Sequence, residues 1–536
     1  MSDTEPAPAR KLPAALTPFE TPVFRMLWLA WLAANVTMWM NDVAAAWLMT
    51  TLTTSPVMVA LVQAASTLPV FLLGLPSGAF ADILDRRRYF AATQLWVALN
   101  AVVLAVLSLA DALTAPLLLL LTFTNGIGLA MRWPVFAAIV PDIVPRHHLP
   151  QALALNGIAM NLSRVVGPIV AGAILAAFAG AWVFFLNAVL AIVAFVLILR
   201  WRSQQKTASA LPGERFVGAM RVGLQHVMQS PRIRAVLLRI FLFFLQSTAL
   251  TALLPLVALR LGGGAGSFTA LLACQGGGAI IAALSFPRWR QHFSSHQFIS
   301  YGPLVHAAVT VLVAFAPNLW FALPGMVIAG MAWISTANTL TISAQMALPN
   351  WVRARGMSIY QMALMGGSAA GAFVWGQVAH LSDIATSMVA ASVLGVCATL
   401  WLRSRPLDTD QVEDFSPAAT TQPLPAFHIE PDEGPVMVTV EYLIDPARAD
   451  EFAAVMQETR RARLRLGVLS WGLFRDSMVP GRYLEYFVDD TWVEHLRRLE
   501  RFSASDAGLR GQRLAFHLGA EPPKVQRYVA EQATLG

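Results

Sequence analysis

The stretch "GAFADILDRRR" at residues 78–88 places two aspartates and three arginines together in a chain that is 56% hydrophobic and only 13% charged. Apolar runs of about twenty residues lie on both sides of it, the length with which a helix crosses the hydrocarbon core of a bilayer. Soluble domains are roughly one quarter charged. This composition, with a mean hydropathy of +0.57, therefore predicts a polytopic membrane protein in which the charged stretch is a loop.

The apolar runs predict an all-α membrane fold with twelve spanning helices. Six lie in a first half at 23–200 and six in a second half at 236–403, and a polar, basic linker at 201–235 separates them. Two such halves are the usual plan of secondary transporters that are built from repeats. The predicted segments are 23–50, 56–81, 89–110, 114–141, 153–178, 180–200, 236–259, 265–287, 298–317, 319–346, 357–380 and 384–402.

The distribution of arginines predicts the orientation of these segments. Loops after even-numbered segments are rich in arginine, whereas Arg260 is the one arginine in the loops after odd-numbered segments. Positive residues favour the cytoplasmic side, so both termini are predicted to be cytoplasmic, including the polar tail at 1–22. The same rule explains the net charge of +7, which therefore does not indicate a nucleic-acid partner.

After the last segment the chain becomes polar. Residues 404–434 form an acidic, proline-rich linker, and residues 435–530 have the alternation and turn signals of a small cytoplasmic domain. Strand "VMVTVEYLI", a helix after Asp445, strands "VLSWGLFRDS" and "RYLEYFVDD", a helix and strand "KVQRYVA" follow one another. This β-α-β-β-α-β order predicts a ferredoxin-like α+β domain.

The opening stretch resembles the cytoplasmic motif of the major facilitator superfamily. The motif positions are Gly78, Asp82, Arg86 and Arg87, and the sequence departs from the pattern at Ile83 and Asp85. A glycine allows close helix approach, and a carboxylate at a helix end can pair with arginine. The resemblance implies a cytoplasmic gate that breaks when the halves rock. The alternative is a plain positive-inside anchor, which the arginines alone would satisfy.

Residues 23–200 resemble the major facilitator superfamily and, more closely, its transmembrane secretion effector branch, which contains the enterobactin exporter. The resemblance extends over residues 20–405. The stretches "FRMLWLAWLAANVTMWMNDVAAAWLM", "SPVMVALVQAASTLPVFLLGLPSGAFADILDRRR" and "QALALNGIAMNLSRVVGPIVAG" carry it. It implies a multi-pass protein of the bacterial cytoplasmic membrane that moves a small molecule.

Ionisable residues inside a span are costly and suggest function by default. Asp42, with Asn35 and Asn41 on roughly the same face of the first span, is the candidate proton carrier, unless it lies at the outer interface. Arg132 in the fourth span resembles the buried arginine of proton-coupled facilitators. Since arginine cannot lose its charge, Arg132 requires a carboxylate, a substrate anion or water; the alternative is snorkelling to the inner surface.

The fifth span contains "SRVVGPIVAG" at 163–172, which resembles the antiporter motif of exporters. Small residues would allow close helix packing and the Gly-Pro pair would bend the helix. Arg164 is either an anion contact or an anchor at the cytoplasmic side. The motif residues are Ser163, Gly167, Pro168, Ala171 and Gly172.

Residues 435–530 also resemble the dimeric α+β barrel group that includes antibiotic-biosynthesis monooxygenases. The resemblance implies a binding, dimerising or regulatory role, including a homodimer through this domain, or catalysis without metal or cofactor. The candidate functional residues of this domain have neither the spacing of metal ligands nor that of a nucleophile and its base. They are Trp471, Tyr483, His495 and His517.

The sequence lacks the pattern G-x-x-x-x-G-K-[ST], so transport would be driven by an ion gradient rather than by ATP. The predicted function is proton-coupled export of a small organic molecule such as a siderophore, a drug or a secondary metabolite, with no cofactor and no metal. The alternatives are an importer on the same fold and a membrane-anchored enzyme or sensor centred on 435–530.

Overall fold

The structure is a computed structural model that describes residues 14–145, 148–201, 216–403, 414–416, 418 and 425–531. The described residues fall into two compact units. The membrane unit comprises those within Met1–Ala208, Leu237–Ile342 and Ser358–Pro406, and the C-terminal unit comprises those within Ser209–Val236, Ser343–Met357 and Leu407–Gly536.

A helix overlies each predicted spanning segment. The first half contains α1 (Pro22–Leu52), α2 (Pro56–Ile83), α3 (Arg86–Leu109), α4 (Ala115–Ile143), α5 (Leu149–Ala177) and α6 (Ala181–Arg200). A shorter helix, α7 (Phe216–Gln229), lies in the linker. The second half contains α8 (Pro231–Arg260), α9 (Ala265–His292), α10 (Ser295–Ala314), α11 (Leu319–Met346), α12 (Arg353–Leu381) and α13 (Ile384–Arg403).

Eleven helices of the described chain are long and apolar enough to cross a membrane. Among the predicted segments the exception is 357–380, which lies in α12. That helix has 29 residues, more than a span needs, but its sequence "RARGMSIYQMALMGGSAAGAFVWGQVAHL" combines two arginines with many glycines and polar residues. The structure therefore supports eleven apolar spans, and the twelfth depends on the length and position of α12.

The helices of the membrane unit pack within each half and across the seam between the halves. In the first half α2 packs on α4, α3 on α6, and α1 on both α5 and α6; across the seam α5 packs on α9. One buried apolar cluster contains residues of both halves, among them Met49, Val59, Leu254 and Met388. A second cluster, around Phe90, draws its residues from the first half and its terminal flanks.

The C-terminal unit contains a four-stranded antiparallel sheet with strand order β2-β3-β1-β4. Its elements are β1 (Val436–Leu443), α14 (Ala449–Arg465), β2 (Ser470–Arg475), β3 (Arg482–Asp489), α15 (Trp492–Glu500), α16 (Ala504–Leu514) and β4 (Lys524–Val529). The single helix predicted between the third and fourth strands is wrong, because two helices occur there. Ser503 caps α16 in a reciprocal capping box with Asp506, and this starts a new helix.

A reciprocal glycine contact between α9 and α11 gives a test of the packing. A Cβ atom at Gly278 would lie 2.0 Å from the Val327 carbonyl oxygen, and one at Gly330 would lie 1.9 Å from the Gln275 carbonyl oxygen. We expect Gly278→Ala to destabilise the protein by about 1–3 kcal/mol through overpacking, measured as a lower melting temperature of the detergent-purified protein.

The matched control is Gly277→Ala, since a Cβ atom there meets nothing within 4 Å. This variant should keep or slightly raise the melting temperature, because alanine favours a helix over glycine by about 1 kcal/mol. Equal melting temperatures for the two variants would contradict the packing described here.

Candidate functional site

Arg132 of α4 is a buried cation in the first half, with only 2% of its surface exposed. Its Nη1 donates a hydrogen bond to the Ala34 carbonyl of α1 at 2.8 Å. Its guanidinium lies 5.5 Å from the ring centre of Trp31, which itself stacks on Phe136 at 3.8 Å. Both Nε and Nη2 are buried and have no acceptor among the described residues. The site is therefore positively charged and has two unused donors.

A small cleft between α1, α3, α4 and α6 lies beside this guanidinium. Buried amide atoms without a hydrogen-bond partner in the described chain surround it, namely Nδ2 of Asn41 and both polar atoms of Asn187. Since unsatisfied buried polar groups destabilise a protein, this arrangement suits a polar group, and the cleft has room for about one water molecule. The cleft is lined by Thr37, Met38, Asn41, Val97, Ala101, Asn125, Leu129, Arg132 and Asn187.

The predicted proton pathway is only partly brought together. Asn35 and Asn41 are buried, and Asn35 donates to the Trp31 carbonyl at 2.9 Å. Asp42 is partly exposed on α1 and is not among the residues that line the cleft. Within the described chain no ion pair joins Asp42 to Arg132. Asn41, the neighbour of Asp42, is the member of the predicted set that meets Arg132 at the cleft.

Two glycines of the predicted antiporter motif bring α5 close to other helices. A Cβ atom at Gly167 would lie 2.5 Å from the Cβ atom of Trp39 on α1. One at Gly172 would lie 2.0 Å from Oγ1 of Thr269 on α9. The motif thus packs α5 against the first half at one point and against the second half at another.

The remaining motif residues complete this small surface. Ser163 and Ala171 are fully buried, and Ser163 donates to a backbone carbonyl one turn earlier. Pro168 lies inside α5. Arg164 follows Ser163 and has two buried donor nitrogens, Nε and Nη1, without an acceptor in the described chain. It is therefore a second cation among the spanning helices.

The arginines of the predicted gate begin α3. Arg86 is the first residue of α3, and Arg87 donates through Nη2 to the Leu199 carbonyl near the end of α6. Cations are favourable at a helix C-terminus because they meet its free carbonyls. The described contact of Arg87 therefore lies within the first half.

The other gate residues lie at the end of α2 and in the loop. Gly78 and Asp82 belong to α2, but the side chain of Asp82 lies outside the described part of the chain, so its pairing stays a prediction. Asp85, which replaces the usual glycine, caps α3 by accepting a hydrogen bond from the Arg88 amide at 2.7 Å. This departure from the family pattern therefore has a local structural role.

A buried carboxylate organises the C-terminal domain. Glu485 is completely buried and accepts hydrogen bonds from the Tyr442 hydroxyl at 3.0 Å, Arg463 Nε at 3.1 Å and Trp471 Nε1 at 3.0 Å. Burial alone would raise the pKa of Glu485, but the charges of Arg463 and Arg513 and these hydrogen bonds hold the pKa below its ordinary value. Trp471 is thus part of the core network.

The other candidate residues of this domain also make structural contacts. His495 Nδ1 lies 2.7 Å from an oxygen of Asp489, and Tyr483 packs edge-on against a phenylalanine of α14. His517 accepts a hydrogen bond from the Leu443 amide at 3.1 Å. Among the described residues no group of three or more histidine, cysteine or acidic side chains is placed to hold a metal.

The linker helix α7 packs on the end of α14 within the C-terminal unit. Gln225 donates to the Val468 carbonyl at 2.7 Å. His226 is 4% exposed, and its Nδ1 lies 3.2 Å from the Arg465 carbonyl oxygen. The polar, basic linker at 201–235 therefore contains this helix, while its residues 202–215 lie outside the described chain.

Trp351, from the connection between α11 and α12, completes this joint. Its ring packs edge-on against the ring of His226 at 5.4 Å, and the Arg501 guanidinium lies over it at 4.7 Å. Burial, together with the charge of Arg465, lowers the pKa of His226 from 6.5 to about 4, against opposing contributions from the Arg465 carbonyl and Asp506. His226 is therefore neutral near pH 7.

Several of these residues were not predicted from the sequence. Asn187 had a readable signal, since it is the only uncharged polar residue with an amide in "AWVFFLNAVLAIVAFVLILR". Trp31, Trp39 and Trp351 had no such signal, because tryptophan is common at membrane interfaces and its partners come from distant segments.

Relatives of the chain are transporters by name. The staphyloferrin A transporter of Staphylococcus aureus is 27% identical over 162 residues, which are 30% of this chain and 41% of that protein. Macrolide efflux protein A of Streptococcus pyogenes is 22% identical over 239 residues, 44% of this chain and 58% of that protein. The chain thus matches less than two thirds of the length of either relative.

Solved transporters share the fold. A bacterial homologue of the human lysosomal transporter Spinster, in an inward-facing and unoccupied conformation, has a TM-score of 0.59 at 16% identity, covering 73% of this chain and 98% of that one. The nucleoside transporter NupG has a TM-score of 0.55 at 12% identity, with 71% and 98% covered. Residues 13–534 match the transmembrane secretion effector family, so the chain belongs to this family of the major facilitator superfamily.

Proposed function

We propose that this protein is a proton-coupled exporter of a small organic molecule across the bacterial cytoplasmic membrane, with twelve spans and both termini inside. The observation that carries the proposal is the Arg132 guanidinium, which is buried beside a cleft. In the described part of the chain its Nε and Nη2 have no acceptor, and Nδ2 of Asn41 and both polar atoms of Asn187 have no hydrogen-bond partner. A transport site needs hydrogen-bonding atoms that the protein itself leaves without partners, because these atoms must be able to bind a guest and later release it.

In this mechanism Asp42 carries the proton, and Arg132 is either its counter-charge or a contact of the substrate. Asp42 would hold a proton in one state and release it in exchange for the guest in the other, because rocking of the halves changes the side of the membrane to which the site is open. Gly78, Asp82, Arg86 and Arg87 would form the cytoplasmic gate. The close packing of Gly167 and Gly172 supports the antiporter interpretation of α5.

The substrate and the direction of transport are part of the same proposal. One relative is named as a siderophore transporter and another as a macrolide efflux protein, which supports a siderophore, a drug or a secondary metabolite as cargo. The proposal that the protein belongs to the same branch as the enterobactin exporter depends on the resemblance of residues 23–200 to that branch. An importer on the same fold is the alternative, and the direction of flux decides between the two.

The role of Asp42 predicts a specific loss. In inside-out vesicles acidified by respiration, an extract of spent culture medium should release protons when the wild-type protein is present, as followed by a pH-sensitive dye. Asp42→Asn should slow this release by about tenfold or more, since each 1.4 kcal/mol is about tenfold in rate. The aspartate would then be unable to exchange its proton for cargo.

The matched control is Asp111→Asn, because Asp111 is exposed in a loop at a positive φ of 52°, where asparagine is also tolerated. This variant should release protons at nearly the wild-type rate, and vesicles without the protein should not respond. Equal rates for Asp42→Asn and the wild type would remove Asp42 as the proton carrier.

We further propose a regulatory role for residues 435–530, which the strand order supports as a ferredoxin-like domain. The domain packs on α7, the helix that connects the two halves, and on Trp351 between α11 and α12. Elements on which transport depends are therefore held by the domain. Catalysis is less favoured, since Trp471 and His495 already serve buried carboxylates. A homodimer through this domain is part of the proposal.

The buried His226 makes this joint sensitive to acid. Its pKa in the folded protein is about 4, below the ordinary value of about 6.5, so the unfolded joint binds more protons between these values. The stability that neutral His226 contributes is therefore present above pH 6.5 and falls as the pH drops. By linkage the joint should lose about 2 kcal/mol between pH 7 and pH 5.

Hydrogen exchange of the backbone at 463–468, compared at the same pH with His226→Gln, measures this loss. The ratio of the wild-type protection factor to that of the variant should be lower at pH 5 than at pH 7, because histidine takes up a proton as the pH falls and glutamine does not. If the ratio of protection factors is the same at both pH values, His226 does not control the joint.

A further inference from the structure

Arg164 of α5 lies between two indole rings that come from opposite halves of the membrane unit. Its guanidinium carbon is 5.2 Å from the ring centre of Trp39 on α1 and 4.5 Å from that of Trp333 on α11. A guanidinium within about 6 Å of a ring face is held by cation–π attraction. This cluster therefore bridges the first half and the second half.

The cluster contains hydrogen-bond donors but no matching acceptor. Arg164 Nε and Nη1 and Trp39 Nε1 are buried without an acceptor in the described chain, and no described carboxylate forms an ion pair with Arg164. Ring faces attract the charge of a guanidinium, but its N–H groups point outward in the plane of the group. Because arginine stays charged and unmade buried hydrogen bonds are costly, the cluster is suited to an oxyanion.

Helix packing fixes this cluster at the seam. A Cβ atom at Gly276 of α9 would lie 3.1 Å from a methyl carbon of Val165 and 3.7 Å from the Arg164 carbonyl oxygen. The backbone of Arg164 therefore runs directly along the second half. Phe244 of α8 packs edge-on against Trp333 at 5.4 Å, which extends the aromatic surface beside the cation.

We propose that Arg164, Trp39 and Trp333 bind the charged group of the cargo, and that the cargo is an organic anion with a flat conjugated ring beside its oxyanion. The N–H groups of Arg164 would bind the oxyanion by charge-assisted hydrogen bonds, while the ring would stack on the indoles. The two indoles belong to different halves, so a bound cargo would touch both halves at once. Binding would therefore affect the contact between the halves, which changes when they rock. This inference deepens the proposed export function and rests on it.

Isothermal titration of the purified full-length protein with three probes tests the chemical class. Benzoate, an aromatic anion, should bind more tightly than cyclohexanecarboxylate, which has the same charge without a conjugated ring, and benzylammonium should not bind. Arg164→Gln should weaken benzoate binding by about tenfold or more. The control Arg288→Gln removes an exposed arginine of α9 and should bind benzoate as the wild type does.

Two further variants keep the test decisive if Arg164→Gln does not fold. Arg164→Lys keeps the charge and should lose affinity for benzoate while still rejecting benzylammonium. Trp333→Leu should abolish the preference for benzoate over cyclohexanecarboxylate, a loss of about fivefold, whereas Trp320→Leu, at a side chain that is 79% exposed, should keep it.

The proposal is overturned if benzoate does not bind at millimolar concentration, if benzylammonium binds as well, or if benzoate binds Arg164→Gln as tightly as the wild type. These results are distinguishable from failure of the proposed function. Proton release from vesicles that depends on Asp42, together with a cationic or neutral cargo, would leave export standing and remove only the anion site. Benzoate binding without any proton release from the vesicles would keep the anion site and remove proton-coupled export.

Discussion

The buried guanidinium of Arg132 is the group around which the first half is arranged. Burying a charge without a partner is strongly unfavourable. Among the described residues, Arg132 donates a hydrogen bond to a single carbonyl, that of Ala34, and its guanidinium lies over the face of Trp31. The remaining donors of Arg132, Nδ2 of Asn41 and both polar atoms of Asn187 lie at a cleft and have no hydrogen-bond partner within the described chain. A stability-driven core would have replaced these groups with apolar side chains, so we interpret them as a site that is completed by a proton, an anion or water during transport.

Close helix packing connects the first half, which contains Arg132, to the rest of the membrane unit. Gly167 lets α5 approach α1, and Gly172 lets the same helix approach α9 of the second half. Arg164, three residues before Gly167 on the same helix, reaches an indole on each side of the seam. Packed interfaces have discrete arrangements rather than a continuous range, so in the proposed mechanism a change in the charge near α5 would favour one arrangement of the halves over another.

Much of the fold was predictable because the length of an apolar run sets the length of a spanning helix. The same logic singled out Arg132 and Arg164, since a charge in an apolar run stands out in one dimension. Their tryptophan partners did not, because cation–π pairing depends on helix contacts that the linear sequence does not contain. The capping box at Ser503 was readable in "SASD" and was missed. The segment at 357–380 was predicted and lies in α12, although its composition is less apolar than that of the other spans, and its glycines pack tightly against α8, as Gly367 does against Phe241.

The most direct test of the account compares small molecules inside and outside cells that contain or lack this gene, by mass spectrometry of both fractions. If the protein is an exporter, at least one organic compound should be retained in cells without the gene and be correspondingly depleted from their medium. A compound that instead stays in the medium of those cells would reverse the direction of transport and contradict export.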